Sequence, residues 1–464
     1  ATLAEGLPLM FDFLGVPDPE RPAPPLGPEA RQRQLFDLIR RLARARSTRE
    51  PAVFLFEDLH WFDRASEEFI ENVVEIVPGS RTLVLLNFRP EYHAAWMQRS
   101  YYHQLPLLPL GAEATAALLT DLLGSDPSLH RLRELIQART GGNPFFLEEL
   151  VQSLGETGAV TGPRGAYRLV TATEQLGLPP TVQNVLAARI DRLAEREKQV
   201  LQTASVIGRS FSEPVLRRVA AIRDDDLAAA LRTLIGAEFL YQEALYPEAE
   251  YAFKHPLTQE VAYSSQLAER RTRVHAAVAR TIEEFDAQKL DERAALLAYH
   301  WERAGDPREA AKWHRRAAEW VGLNNIDEGL RHWTSARELL DALPETPGNL
   351  AERAAVRAHI LNMLARLGDP DGHGEALFTR GRELAARSGN RQVQSLLLSS
   401  FGTLRLYSGA VSEGLDLLVD AARVADETGD PGLRVAVRYG LAFANLQTGR
   451  LRESLSAVDD GLRI

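Results

Sequence analysis

The stretch VFLFEDLHWFD, residues 53–63, is an apolar run that ends in two acidic residues. A second apolar run, TLVLLNF at residues 82–88, follows a helix predicted at about residues 65–76. Short apolar runs separated by a helix are typical of buried parallel strands in an α/β sheet. Parallel strands end at one edge of their sheet, and open α/β folds bind ligands there. We therefore predict that Glu57 and Asp58 lie at a ligand-binding edge.

The residue types at this edge suit phosphate chemistry. One carboxylate can hold Mg²⁺ on the phosphates of a nucleotide, and the other can orient or deprotonate an attacking water. Arg89 ends the second strand, where a guanidinium can make bidentate contact with a γ-phosphate. The alternatives are a strand that ends in a solvated acidic turn and a surface arginine followed by Pro90.

A third motif, TGGNPFFLEEL, occupies residues 140–150. Gly141 and Gly142 permit a tight turn, Pro144 stiffens it, and an apolar helix follows. A rigid apolar turn of this kind can lie against an adenine ring. The alternative is an ordinary turn between two helices.

The rest of the first 268 residues is predicted to be mainly helical. The proline-rich residues 17–30 predict an irregular loop, and a helix is expected at 31–46. Residues 112–156 indicate helices broken at Gly124 and Gly141, and residues 157–178 are rich in turns. Three helices followed by a small hairpin, within 179–268, are the pattern of a winged helix.

From about residue 269 the chain is predicted to be helical and repetitive. Gly368, Gly409 and Gly449 recur at intervals of about 40 residues, as do Gly389 and Gly429. Repeats of this period stack into helical solenoids of the tetratricopeptide (TPR) kind.

Aromatic and histidine residues in these repeats are predicted to be structural. Four tryptophans at helical intervals are expected to pack in the core: Trp301, Trp313, Trp320 and Trp333. The histidines show no metal-ligand spacing, and His314 and Arg315 are expected to form a solvated face.

Taken together and in this order, the segments resemble the STAND class of AAA-related NTPases, the signal-transduction ATPases with numerous domains. The branch it resembles lies behind class III adenylate/guanylate cyclase domains in bacterial proteins. The resemblance covers about residues 30–340 and rests on VFLFEDLHW, TLVLLNFRPEY, TGGNPFFLEEL, LPPTVQNVLAARIDRL with VLQTASVIGRSF, and YAFKHPLTQEVAYSSQLAERR.

The resemblance implies an α/β fold followed by an all-α region. The implied domains are a partial P-loop-type NTPase sheet at 1–110, a helical lid at 111–178, a winged helix at 179–268 and a TPR-like α-solenoid at 269–464.

The resemblance also assigns roles to six residues of this sequence. Glu57 and Asp58 match the Walker B acids that bind Mg²⁺ and support hydrolysis, and Arg89 matches the sensor-1 arginine. Gly142 and Pro144 match the lid turn near adenine.

His255, in FKHPL, matches the histidine that contacts the β-phosphate of bound ADP. The alternative is a core or surface histidine without a ligand.

One part of the family pattern is missing. A phosphate-binding P-loop needs G-x-x-x-x-G-K-[ST], but none of the four lysines, Lys198, Lys254, Lys289 and Lys312, follows a glycine. Because the family's loop lies N-terminal to the proline-rich segment and Ala1 comes first, we expect a chain that is N-terminally truncated and ends within its repeats. Alone, it is expected to be inactive as an ATPase, and no cyclase metal site can be located.

Composition sets further limits. The absence of cysteine rules out disulfides and thiolate sites, and the net charge of −10 argues against direct nucleic-acid binding. No uncharged run approaches the ~18 residues of a membrane helix. We expect a cytoplasmic protein that does not enter a membrane.

The functional prediction is a nucleotide-controlled regulatory switch within a larger cyclase-like protein, with ATP/ADP and Mg²⁺ as cofactors. Its partners would be a protein or peptide ligand on the repeats and further copies in a nucleotide-dependent homo-oligomer. The alternatives are a TPR interaction scaffold with an inactive NTPase remnant and a STAND-type transcription regulator.

Overall fold

The computed structural model describes residues 4–14, 16, 18–24, 28–173, 176–244, 248–285, 287, 289–322, 325–369 and 372–464. It is 68% helical with a few short strands. The chain divides into two compact units, Ala1–Leu108 and Pro109–Ile464, which are considered separately. Over the described ranges, no helix combines the length and hydropathy needed to cross a membrane.

The first unit contains a small parallel sheet flanked by helices. Its elements are α1 (Leu7–Phe13), α2 (Pro28–Arg49), β1 (Ala52–Phe56), α3 (Arg64–Val74) and β2 (Thr82–Leu86). Ala52 pairs with Thr82 and Phe56 with Leu86, so the two predicted strands are present and parallel. Within the described residues this sheet has two strands, and a P-loop-type sheet is not seen.

The two faces of this sheet differ. On one face, Phe56 and Leu86 pack against a buried cluster that includes Ile70 and Trp96. The other face exposes large apolar side chains: Val53, Leu55, Leu83 and Leu85. Parallel sheets usually have both faces covered, so an exposed apolar face on such a pair is unusual.

The prediction of a loop over residues 17–30 is wrong at its C-terminal boundary. Residues 18–24 form turns and irregular backbone, but α2 already begins at Pro28. Proline is accepted in the first helical turn because its missing N–H would have no partner there. Residues 17 and 25–27 lie outside the described residues.

The second unit begins with three helices and a short antiparallel pair. These are α4 (Ala112–Leu123), α5 (His130–Thr140), α6 (Pro144–Glu156), β3 (Val160–Thr161) and β4 (Arg168–Leu169). The helix breaks occur where the glycines and prolines predicted them. Leu119, Ile136, Leu147 and Val185 belong to the buried cluster that joins these helices.

The next segment surrounds a three-stranded antiparallel sheet of order β5–β7–β6. Its elements are α7 (Val182–Arg192), α8 (Glu195–Ile207), β5 (Ser210–Ser212), α9 (Glu213–Ala220), α10 (Asp224–Gly236), β6 (Leu240–Ala244), β7 (Glu250–Phe253) and α11 (Pro256–Ser264). The predicted hairpin is therefore present, with residues 245–247 outside the described part. That this segment is a winged helix remains a prediction.

From Ala268 onwards, the described residues form ten helices. They are α12 (Ala268–Phe285), α13 (Ala294–Arg303), α14 (Pro307–Val321), α15 (Ile326–Ala342), α16 (Pro347–Leu367), α17 (His373–Ser388), α18 (Arg391–Tyr407), α19 (Val411–Thr428), α20 (Pro431–Gln447) and α21 (Leu451–Leu462). Most of them pack on the next helix in sequence, while α16 and α18 also pack extensively on each other and α12 packs on α8 and α9. The repeat-spaced Gly389 and Gly429 both end a helix at positive φ, 67° and 70°, a conformation that glycine adopts without steric cost.

Two predictions about the repeats need correction. Trp301, Trp313 and Trp333 are buried, but Trp320 is 55% exposed, because it lies on the outer face of α14. His314 is buried too, and its Nδ1 lies 2.8 Å from Nδ1 of His332. The predicted solvated face is therefore wrong for His314, because α15 covers it.

Helices α18 and α19 make their closest approach at two glycines. A Cβ at Gly414 would lie 2.7 Å from the carbonyl oxygen of Gly402 and 2.8 Å from the backbone nitrogen of Leu406. Both obstacles are backbone atoms, so neither can move aside cheaply.

We expect Gly414→Ala to lower the free energy of unfolding by about 1–3 kcal/mol, because the added methyl overpacks the helix contact. The matched control is Gly440→Ala in α20, where a Cβ meets nothing within 4 Å. That change should stabilise the chain by roughly 0.5–1 kcal/mol through helix propensity. Urea denaturation followed by circular dichroism measures both, and shifts of the same sign and size would contradict the close-contact explanation.

Burial also lowers the basicity of several repeat histidines. Loss of hydration lowers the pKa of His275 to about 4 and that of His300 to about 3. Burial, and secondarily the charge of Arg315, lowers the pKa of His359 to about 4. The His359 ring stacks on Trp333 with centroids 4.1 Å apart. These imidazoles are therefore neutral in the folded chain at neutral pH.

The buried histidines predict acid sensitivity with a defined sign. The unfolded chain protonates His359 near pH 6.5, whereas the folded chain resists protonation down to about pH 4, so stability is lost as the pH falls through this window. His359→Phe keeps an aromatic ring on Trp333 but cannot bind the proton. Between pH 8 and pH 5, the wild type should lose about 2 kcal/mol more stability than this variant. The exposed control His130→Phe should follow the wild type in thermal melts, and a His359→Phe curve parallel to the wild type would refute the prediction.

Candidate functional site

The backbone at the end of β1 is held in an uncommon conformation. Asp58 has φ 57° and ψ 43°, in the left-handed region. Its backbone N–H donates to Oδ1 of Asn87 at 2.6 Å. The backbone N–H of Asn87 donates to the carbonyl of Phe56, and its carbonyl accepts from Leu59. Asn87 therefore fixes the turn that presents both acidic residues.

Asn87 also contacts the first of the two acidic residues. Its Nδ2 donates to Oε1 of Glu57 at 3.4 Å, a long hydrogen bond to an exposed carboxylate. The strand register explains this neighbourhood, because Phe56 pairs with Leu86 and the two polar residues come next. The sequence pattern did not indicate Asn87 as a site residue, although a polar residue directly after an apolar strand was the available signal.

Arg89 lies on the loop after β2 and is exposed. Its guanidinium carbon is 6.0 Å from the centroid of the Trp61 ring, at the outer limit of a cation–π contact. Trp61 is itself exposed, so the aromatic face and the guanidinium are both open to a ligand.

The donor set at this edge fits magnesium. Glu57 and Asp58 offer carboxylate oxygens, and Mg²⁺ is usually bound through one or two carboxylates with the remaining positions taken by water and phosphate. Across the described residues, no group of three or more histidine or acidic side chains forms a complete metal site.

In the second unit, Gly142 and Pro144 form the turn that starts α6. Gly142 has φ 79°, its carbonyl accepts from the Leu110 N–H at 2.9 Å, and a Cβ on Gly142 would overlap the Leu110 carbonyl oxygen. Asn143 caps α6 by accepting from the Phe146 N–H at 2.9 Å. The turn is therefore rigid, and its close contact with residue 110 requires glycine.

His255 lies against the same turn. It caps α11, where its Nδ1 accepts from the Leu257 N–H at 3.1 Å. Its ring stacks on Phe145, with centroids 3.8 Å apart and planes 13° from parallel. Since Nδ1 is an acceptor, the neutral ring carries its proton on Nε2. The structure thus brings the predicted residues Gly142, Pro144 and His255 together through Phe145, which the sequence pattern marked only as an apolar helix residue.

A buried ionic cluster holds this arrangement. Arg189 is 1% exposed, contacts Glu149, donates to Glu156 at 2.7 and 2.9 Å, and donates to the Ala237 carbonyl at 2.7 Å. Its guanidinium also lies 4.5 Å from the Phe239 ring centroid. Burial raises the pKa of Glu149, and the Arg189 charge opposes that rise. The cluster ties α6 and α7 to the turn before β6.

Removing Arg189 should be costly. Arg189→Met leaves buried carboxylate without a counter-charge and should lower stability by about 3–5 kcal/mol. Arg192→Met, on the same helix, removes a half-exposed partner of Glu156 and should cost less than about 1 kcal/mol. Thermal unfolding of the two variants measures the difference, and comparable losses would show that the cluster does not hold the unit together.

Three comparisons with known proteins place these residues in context. A family model described as a domain of unknown function (DUF8739) matches residues 111–166. An uncharacterized protein of Rhizobium meliloti (strain 1021) is 23% identical over 451 residues, 94% of this chain. This chain spans 42% of the length of that relative.

A solved structure is similar along most of the chain. It is a signal transduction ATPase with numerous domains (STAND) protein with a tetratricopeptide repeat sensor, from Pyrococcus horikoshii. The identity is 11% and the TM-score 0.38, over 93% of this chain and 64% of that one.

Proposed function

We propose that this chain is the regulatory region of a STAND-type signalling ATPase, in which a bound nucleotide controls a conformational switch. The observation that carries the proposal is the pair Glu57 and Asp58 after a parallel strand, held by Asn87 from the neighbouring strand. An acidic pair presented at this edge is suited to bind Mg²⁺ with nucleotide phosphates.

Each residue would have a distinct part. Glu57, exposed and contacted by the Asn87 amide, would accept a proton from water or hold a metal-bound water in place. Asp58 would bind Mg²⁺, which neutralises phosphate charge, and Arg89 would contact a terminal phosphate. In the second unit, Nε2 of His255, which carries the ring proton when Nδ1 accepts from the Leu257 N–H, would donate to a phosphate.

The proposed output is a shift between two conformations. A nucleotide that binds one conformation better than the other moves the equilibrium by its difference in affinity. The helical repeats would supply the second input by binding a protein or a smaller ligand. Membership of a cyclase-like protein and a nucleotide-dependent homo-oligomer belong to the same proposal.

The test uses the intact gene product, because the 464 residues contain no Gly-Lys pair with which to build a P-loop. Glu57→Gln and Asp58→Asn should each weaken Mg²⁺–ATP binding or slow phosphate release by at least about tenfold, since a hydrogen bond to a charged group contributes about 1.5–3 kcal/mol. Asparagine at 58 also tolerates the left-handed backbone, so the fold is preserved.

The matched control is Glu91→Gln, which removes one exposed acidic charge from the same unit. It should leave nucleotide titrations and phosphate release unchanged. If Glu57→Gln and Asp58→Asn behave like this control, the site assignment is wrong.

A second candidate is an interaction scaffold whose NTPase part is inactive. The missing Gly-Lys pair favours it, together with helices that follow one another from Ala268 to Leu462 through the described residues. The scaffold predicts that ATP and ADP leave the oligomeric state of the intact gene product unchanged in light scattering, whereas the switch predicts a difference between the two nucleotides.

A further inference from the structure

The repeats form a partly open cavity of about 480 Å³ among α15, α16 and α17. Its apolar wall comes from Leu330, Ile360, Leu364 and Leu377. This volume lies within the range of small-molecule sites, which are mostly apolar with a few placed polar groups.

Three of the five described polar residues that line this cavity are arginines. Arg337, Arg357 and Arg380 come from three successive helices and line it together with His373. Among the described residues that line the cavity there is no aspartate or glutamate. An apolar wall beneath several guanidinium groups complements a ligand that has an apolar body and an anionic end.

Two of these arginines have unsatisfied donors. Arg357 is 6% exposed, and it donates to Asp341 at 2.6 Å and to the Arg353 carbonyl at 2.8 Å. Its Nε is buried and has no hydrogen-bond partner among the described residues, and the same holds for Nε of Arg337. Because neither Nε has solvent-accessible surface, a ligand oxygen cannot reach either atom from the cavity. The side chains open to a ligand are those of Arg337 and Arg380, which are 29% and 44% exposed.

The acidic residues nearby limit the charge of the ligand. Asp341 pairs with Arg357, Glu338 pairs with Arg337, and both Glu345 and Glu383 pair with Arg380. They hold the guanidinium groups in place from outside the lining and neutralise part of their charge. Arg353 and Arg387 also pair with Glu345, so five arginines face four carboxylates and one positive charge remains, which suits a single carboxylate better than a polyphosphate.

The geometry points to a binding site for a small amphipathic carboxylic acid between α15, α16 and α17. The hydrocarbon part occupies the apolar wall, and the carboxylate accepts from the guanidinium groups of Arg337 and Arg380, the two more exposed arginines of the lining. The idea that this site is an input to the switch rests on the proposed function. The binding of the acid itself does not depend on that function.

The experiment titrates the intact gene product with decanoate in a calorimeter and repeats the titration with decanamide, which has the same chain but no charge. Decanoate should saturate one site, and decanamide should bind at least about tenfold more weakly. Arg337→Gln should weaken decanoate about tenfold, since one charge-assisted contact is lost. The matched control Arg423→Gln removes an exposed arginine outside the cavity and should change neither titration.

A second variant tests the cavity by volume. Ala376 lines the cavity and is exposed, so Ala376→Trp can fill the space without disturbing a buried core. It should abolish binding of decanoate while the thermal melting curve stays that of the wild type. Four results would each overturn the proposal. They are saturable decanoate binding by Ala376→Trp, equal affinity for decanoate and decanamide, binding of acidic peptides alone, and no saturable decanoate binding by the wild type. Glu57→Gln should bind decanoate normally, so failure of the nucleotide site is distinguishable from failure of this one.

Discussion

The guanidinium of Arg189 is the contact on which the arrangement in the second unit depends. It is buried between two carboxylates from α6, a backbone carbonyl and the face of Phe239. A charge in such a place is tolerated only when its partners are complete, so all of these groups must be present at once. The helix that carries the two carboxylates begins at Pro144, and the strand that follows Phe239 pairs with the strand leading to His255. The Arg189 cluster therefore connects the two segments that carry Phe145 and His255.

Local sequence signals predicted most elements in both units. Both strands of the first unit are continuous apolar runs, a pattern that predicts buried strands, although among the described residues only one of their faces meets a buried cluster. Helix ends between residues 112 and 156 coincide with glycine and proline, whose backbone limits act within a few residues. Pro28 was misread because a proline can begin a helix as well as prevent one.

Three contacts that the sequence did not predict join distant parts of the chain. Asn87 acquires its importance only once β1 and β2 are in register. His314 has a polar helical context, and the residue that buries it stands on the next helix. The stacking of His255 on Phe145 likewise joins two separate helix starts. A single sequence records none of these pairings, so the residue types were predictable and their partners were not.

The cavity in the repeats illustrates the same limit. Arginines spaced along α15, α16 and α17 are unremarkable as a sequence, because exposed helices of this kind usually carry charged residues. Only the stacking of three helices turns them inward over one apolar wall. The arginine-lined cavity in the second unit therefore could not be recognised from a sequence motif.

The left-handed backbone at residue 58 also affects how relatives of this chain should be compared. Asparagine, aspartate and glycine are the residues that adopt such a conformation readily. The turn therefore restricts which residue types fit at position 58, whatever the function of the site. An aspartate retained there through evolution could reflect the shape of the loop alone. Glu57, whose backbone carries no such restriction, is the more informative position: its replacement in a relative would report on lost chemistry, while a change from Asp58 to asparagine or glycine would leave the turn intact.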